Sequence, residues 1–194
     1  MRALAAAILL WLVATPVLAQ ETAPESFAPP ILVLEIEAAT GSGEVRIELL
    51  PDVAPVHVAR MLTLTARGAY DDVAFHRVLS GFMAQTGDVQ FGRADAFDRR
   101  RIGTGKSALQ DLPFEGSDIP FEAGIVAMAR SDTLDSANSQ FFIMTSRQPR
   151  LDGQYTVFGR VVEGMELILT LRSGMPQLDG TVSSPDWLRG TRIE

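Results

Sequence analysis

The chain has 194 residues, 46% of them hydrophobic and 7% aromatic, with a net charge of −7 and no cysteine. That composition predicts a single globular domain with a real core and excludes overall disorder, disulfides and thiolate chemistry. An acidic chain is also a poor match for nucleic acid, whose binding rests on neutralising phosphates, so no nucleic-acid partner is expected.

The opening stretch MRALAAAILLWLVATPVLAQ places one positive residue, Arg2, before an apolar run from Ala3 to Val13 and ends on Val17-Leu18-Ala19. The pattern predicts a cleavable secretory signal over residues 1–19, a periplasmic or secreted address, and no stable membrane span after cleavage. An uncleaved anchor is the alternative, because the run is only a little shorter than a span. Residues 20–30, rich in Pro, Ala and Glu, read as a flexible lead, with the domain predicted over 31–194.

Two alternating segments follow, ILVLEIEA from Ile31 and EVRIELL from Glu44, with Thr40 to Gly43 as the predicted turn of a hairpin. APVHVARMLTLTARG has Val58, Met61, Leu62 and Thr65 at helical spacing, Pro55 in the first turn and Gly68 at the stop. Short apolar segments then recur: AFHRVL, FMAQTG, GIVAMA, QFFIMT and YTVFGRVVE. A second helix, MELILTLRS, is predicted to run to Gly174, and a last strand to lie around Trp187 to Ile193. About eight strands and two helices predict a mainly β fold, a closed antiparallel barrel with helices over its ends, an open α+β sheet being the alternative.

Gln90 to Phe121 is a long connection of little periodicity. Its GTGKS at 103–107 has Arg100 where a phosphate-cradling loop requires glycine, which excludes nucleotide binding there. Arg93, Arg99, Arg100, Arg101 and Lys106 read as a solvated basic loop.

Two histidines at no metal-ligand spacing argue against a metal, and there is no Gly-x-Ser-x-Gly elbow. What stands out is FHRVLSGFMAQTGD at 75–88. In an alternating strand Phe75, Arg77 and Leu79 share a face, with a cation between two apolar groups. A guanidinium there must reach water, pair with an acid such as Glu35 or Glu48, or await a ligand.

FHRVLSGFMAQTGD, SANSQFFIM and LDGQYTVFGRVVEGMELI, in that order and spacing, strongly resemble cyclophilins, from about Ile31 to Gly174. The resemblance implies a closed eight-stranded antiparallel barrel capped by two helices, peptidyl-prolyl cis/trans isomerase activity without a cofactor, and likeness to exported bacterial members. It implies Arg77 as the catalytic residue, and Phe82, Met83, Phe142 and Leu151 as the pocket for a proline ring. Gln85, Ala129, Arg130 and Gln140 would hold the peptide backbone, with Tyr155 and His76 also at the substrate site. The expected partners are proline-containing segments of unfolded or flexible exported proteins, and a chaperone module with little turnover is the alternative. Arg150 stands where cyclosporin-sensitive members often carry Trp, so weak binding of that drug is expected. Phe141 and Met128 are assigned to the barrel core.

Overall fold

The computed structural model describes residues 28–194; the stretch at 1–19 and most of the 20–30 lead lie outside them. β1 (Ile31–Ala38) and β2 (Gly41–Leu49) form the hairpin, and alternation buries Leu32, Leu34 and Ile36 against Val45, Ile47 and Leu49. The turn is tighter than expected, because Ala38 already pairs with Gly41 and leaves only Ala39 and Thr40 outside the ladder. Gly43 is therefore a strand residue, and a Cβ there would stand 3.3 Å from Leu167.

α1 (Pro55–Ala66) buries His57, Val58, Met61, Leu64 and Thr65 on one face. Its first N–H groups, from Val56 and His57, donate to the Glu115 carboxylate at 3.1 and 3.0 Å, so a distant loop residue caps the helix. The remaining strands and α-helix are β3 (Val73–Ala74), β4 (Arg77–Leu79), β5 (Met83–Thr86), β6 (Ile125–Met128), β7 (Phe141–Met144), β8 (Val157–Glu163), α2 (Met165–Leu169) and β9 (Trp187–Ile193), with short 3-10 turns between them.

All the strands join one antiparallel sheet in the order β3-β9-β1-β2-β8-β6-β7-β5-β4. Its two edge strands are successive pieces of one segment, 73–79, so the sheet curls round until its ends meet in the chain itself. This also explains nine strands among the described residues where about eight were expected. Phe75 N donates to Asp186 O, and His76 O accepts from Val182 N, so these two residues leave the ladder and split one strand into β3 and β4. The break overturns the expected shared face: Phe75 packs into the inner core, whereas Leu79 packs with the outer cluster.

α2 is shorter than the predicted helix. Arg172 N donates to the buried Asp186 carboxylate at 2.7 Å, which draws the chain away from helical geometry after Thr170.

Two apolar clusters lie on opposite faces of the sheet. The inner one contains Phe141, Ile143, Val126 and Met128; the outer one contains Phe142, Met144, Ala127 and Met83, covered by Phe121. Strand alternation sorts them residue by residue.

Candidate functional site

Register builds the site as a row across the sheet. Arg77 in β4 faces Gln85 in β5, Gln85 faces Phe142 in β7, and Phe142 faces Ala127 in β6. Leu79, Met83 and Met144 form the next row. Loops supply the walls: Ala129 and Arg130 after β6, Leu151 from a short 3-10 turn, Tyr155 before β8. Together Arg77, Phe82, Met83, Gln85, Ala129, Arg130, Phe142, Leu151 and Tyr155 line a cavity of about 150 Å³. In another protein an apolar cavity of about 150 Å³ takes up benzene, so the size suits one small ring.

Phe142 and Tyr155 meet edge to face at 5.4 Å, and Phe121 stacks behind Phe142 at 6.2 Å. Such packing fixes the floor rigidly. The Arg130 side chain lies over the Tyr155 ring at 4.8 Å and donates to the carbonyls of Gln154 and Ser131, which ties one rim to the other.

The Arg77 guanidinium stands at the lip, 6.0 Å from the Phe82 ring centroid. Its Nη1 donates to Gln85 Oε1 at 3.2 Å and lies 3.8 Å from Met83 Sδ. An arginine only donates, so Gln85 must turn its oxygen toward Arg77 and its amide NH₂ toward Gln140 Oε1, at 3.0 Å. Gln140 in turn donates to the carbonyls of Gly103 and Gly105 at 3.0 and 2.8 Å. One relay thus fixes three side chains in sequence.

The acid expected as a possible partner of Arg77 is neither Glu35, which binds Arg192, nor Glu48, which binds Arg160. It is Asp179, from the turn after α2, whose side chain is 79% exposed. The pair occupies Nε and Nη2 on the outer edge and leaves Nη1 beside the cavity, so it is a rim contact and not an internal lock.

Ten of the eleven residues expected at the site line this cavity or its neighbour. Gln140 borders an adjoining hollow of about 320 Å³, which shares Gln85, Ala129 and Arg130 with the first and is closed by Gly103 to Lys106. His76 is the exception. It is 4% exposed, lines neither hollow, and has no hydrogen-bond partner at either ring nitrogen, so burial pushes its pKa down to about 4. Direct contact with a peptide is not what this position offers.

Three residues escaped the sequence reading. Asp88, fully buried, accepts from the N–H groups of Gln90, Phe91, Gly103 and Gly105 and so shapes the long connection. The glycine amides of GTGKS are spent on this carboxylate, which gives a physical reason why they do not cradle phosphate. Phe121 backs the cavity, and Asp179 holds Arg77. Most of the basic loop is likewise engaged locally: Arg101 with Asp98 and over the Phe91 ring, Arg93 with Asp95, Lys106 with Asp111, Arg99 with the Ser183 carbonyl.

The cavity walls carry no carboxylate, histidine or thiol. The arrangement can grip an apolar ring and present a fixed hydrogen-bond donor.

Comparison with known proteins shows the family and the fold. The family model described as cyclophilin type peptidyl-prolyl cis-trans isomerase/CLD matches residues 33–191. A Brucella suis protein named "Probable peptidyl-prolyl cis-trans isomerase" is 53% identical over 153 residues, 78% of each chain. A "Peptidyl-prolyl cis-trans isomerase-like 1" of Aspergillus niger is 38% identical over 133 residues, 66% of this chain and 75% of that one. Among solved structures, a Hirschia baltica cyclophilin is similar with a TM-score of 0.68 at 25% identity, covering 84% of this chain and 73% of the other. A Cryptosporidium parvum cyclophilin type isomerase, solved in the presence of the dipeptide Ala-Pro, has a TM-score of 0.69 at 22% identity over 84% of this chain and 98% of that one.

Proposed function

Because the chain belongs to the cyclophilin-type peptidyl-prolyl cis-trans isomerase family, whose reaction is rotation about the bond before proline, we propose that the cavity beside Arg77 receives the prolyl ring. Arg77 then donates to the prolyl nitrogen as the bond twists. The X–Pro bond rotates slowly because amide resonance sets a barrier of about 18–20 kcal/mol. In the twisted state resonance is lost, the nitrogen becomes pyramidal and its lone pair returns. A donor fixed at that point binds the twisted state better than either planar state, which is the condition for catalysis.

Each wall has a task. Met83, Phe142 and Leu151 grip the ring and exclude water, which strengthens the hydrogen bond from the guanidinium. Gln85 fixes the direction of Nη1, and Ala129, Arg130 and Gln140 offer the rim along which the peptide backbone lies. A charge-assisted hydrogen bond contributes about 1.5–3 kcal/mol, roughly ten- to a hundredfold in rate, so orientation and desolvation supply the rest. The observation that carries the reading is a ring-sized cavity lined by Met83, Phe142 and Leu151 with one oriented Nη1 at its lip.

The substrates we propose are proline-containing segments of unfolded or flexible exported proteins, met in the periplasm after removal of residues 1–19. The Arg2, Ala3–Val13 and Val17-Leu18-Ala19 pattern supports this address. Mass determination of the protein's N-terminus from a periplasmic extract tests it: a start at Gln20 supports export, a start at Met1 opposes it. Cyclosporin binding is weak in this reading, since Arg150 is exposed and brings no aromatic surface to the rim.

Exchange spectroscopy on an X–Pro peptide with the protein at catalytic amounts tests the activity. Cross-peaks between cis and trans resonances on the sub-second scale support an isomerase. Peptide binding with unchanged exchange leaves a proline-binding module instead.

A further inference from the structure

We propose that Asp179 is a positioning residue for Arg77, holding the outer edge of the guanidinium so that Nη1 keeps its aim. The inference deepens the function proposed above and rests on Arg77 being the donor. Asp179 makes three contacts with that one side chain. Its carboxylate accepts from Nε at 3.1 Å and from Nη2 at 2.9 Å, and its own backbone carbonyl accepts from Nε at 2.9 Å. The two carboxylate bonds are the planar fork that a guanidinium matches best. On the opposite edge, Nη1 is held by Gln85. The plane is therefore clamped from both sides: the Asp179 fork leaves Nη1 alone and Gln85 takes one of its two hydrogens, so the second, on the nitrogen 3.8 Å from Met83 Sδ, is the one left for a substrate.

The turn that carries Asp179 is anchored on Arg77's own strand. Val78 N donates to Gly180 O and Gly174 N donates to Val78 O, both at 2.9 Å, and Arg77 bridges to Thr181. Close approach makes glycine necessary at two points: a Cβ on Gly180 would lie 2.5 Å from Leu79 Cγ, and one on Gly174 would collide with the Gly180 carbonyl. Asp179 itself adopts the left-handed conformation, φ 50° and ψ 34°, which Asp and Asn tolerate better than other side chains do. Backbone bonds from Asp179 to Pro176 O and from Gly180 to Met175 O lock that conformation. A carboxylate so placed and yet 79% exposed does little for the fold; what it constrains is the direction of Arg77.

The test uses the full chain with Asp179→Gly, which suits the left-handed backbone and keeps the carbonyl contact, and Asp179→Asn, which keeps a side-chain acceptor. Peptide isomerisation by the Gly variant is expected to show kcat lower by about fivefold with KM unchanged. The Asn variant, which keeps one acceptor oxygen but sets an NH₂ donor where the second oxygen stood, should recover part of the loss. The Arg77 Nε–H resonance should exchange faster with water in the Gly variant, while its thermal midpoint stays at the wild-type value. In an Arg77→Lys background, Asp179→Gly should cost nothing further.

Unchanged kcat and an unchanged Nε–H signal overturn the proposal, as does a rise in kcat, which would make Asp179 a brake. Failure of the underlying reading looks different, because Arg77→Lys would then retain turnover whatever stands at 179.

Discussion

His76 and Arg77 are adjacent in the chain yet meet opposite environments: the imidazole is 4% exposed and unpartnered, while the guanidinium has acceptors on two edges. Burial keeps His76 neutral, with a pKa of about 4 against 6.5 for the unfolded chain. The unfolded state thus takes up a proton where the folded state does not, and stability is full above pH 6.5 and falls as pH drops toward 4. The gap corresponds to roughly 3 kcal/mol. Urea denaturation between pH 7 and 4 should show the decline, and His76→Phe should remove most of it. The residual slope comes from His57, whose pKa is also lowered by burial, and, below about pH 4.5, from carboxylates with depressed pKa values, among them Glu115, where hydrogen bonds from His57 and the α1 backbone outweigh burial, and Asp98 and Asp152, held down by Arg101 and Arg147.

Asp88 offers a second handle. Four N–H groups converge on its buried carboxylate, so Asp88→Asn loses acceptor capacity where water cannot replace it. We expect a thermal midpoint lower by roughly 5–10 °C and faster amide exchange at Gly103 and Gly105. Those two residues also anchor Gln140, so KM for peptide should rise as well.

Phe141 and Phe142 give a paired test of the two faces. Phe142→Leu should raise KM severalfold with a modest stability loss, because it reshapes the cavity floor. Phe141→Leu should destabilise by about 1–2 kcal/mol and leave KM alone, because that ring lies in the inner core. Steady-state kinetics with parallel denaturation curves separate the two.

That division was legible through the family resemblance, which put Phe142 at the pocket while Phe141 was assigned to the core; strand alternation in β7 is its physical basis. Arg77, Gln85 and Phe142 were named through the family resemblance of two motifs about fifty residues apart, but the row they form was not, because it depends on the register of β4, β5 and β7. Asp179 and Asp88 were not, for a physical reason: each acts on groups brought near by the turn of a loop, and no period in the sequence marks such a meeting. The split of segment 73–79 was hidden for a related reason, because it follows from backbone bonds to Asp186 and Val182 more than a hundred residues away.

The most direct measurement compares the wild-type chain with Arg77→Lys by exchange spectroscopy on one X–Pro peptide, with peptide affinity measured in parallel. Lysine keeps the charge but loses the planar fork that Gln85 and Asp179 orient. The account predicts turnover reduced by ten- to a hundredfold, about 1.5–3 kcal/mol, with affinity changed by less than about threefold. Turnover equal to wild type in a folded Arg77→Lys protein would contradict it.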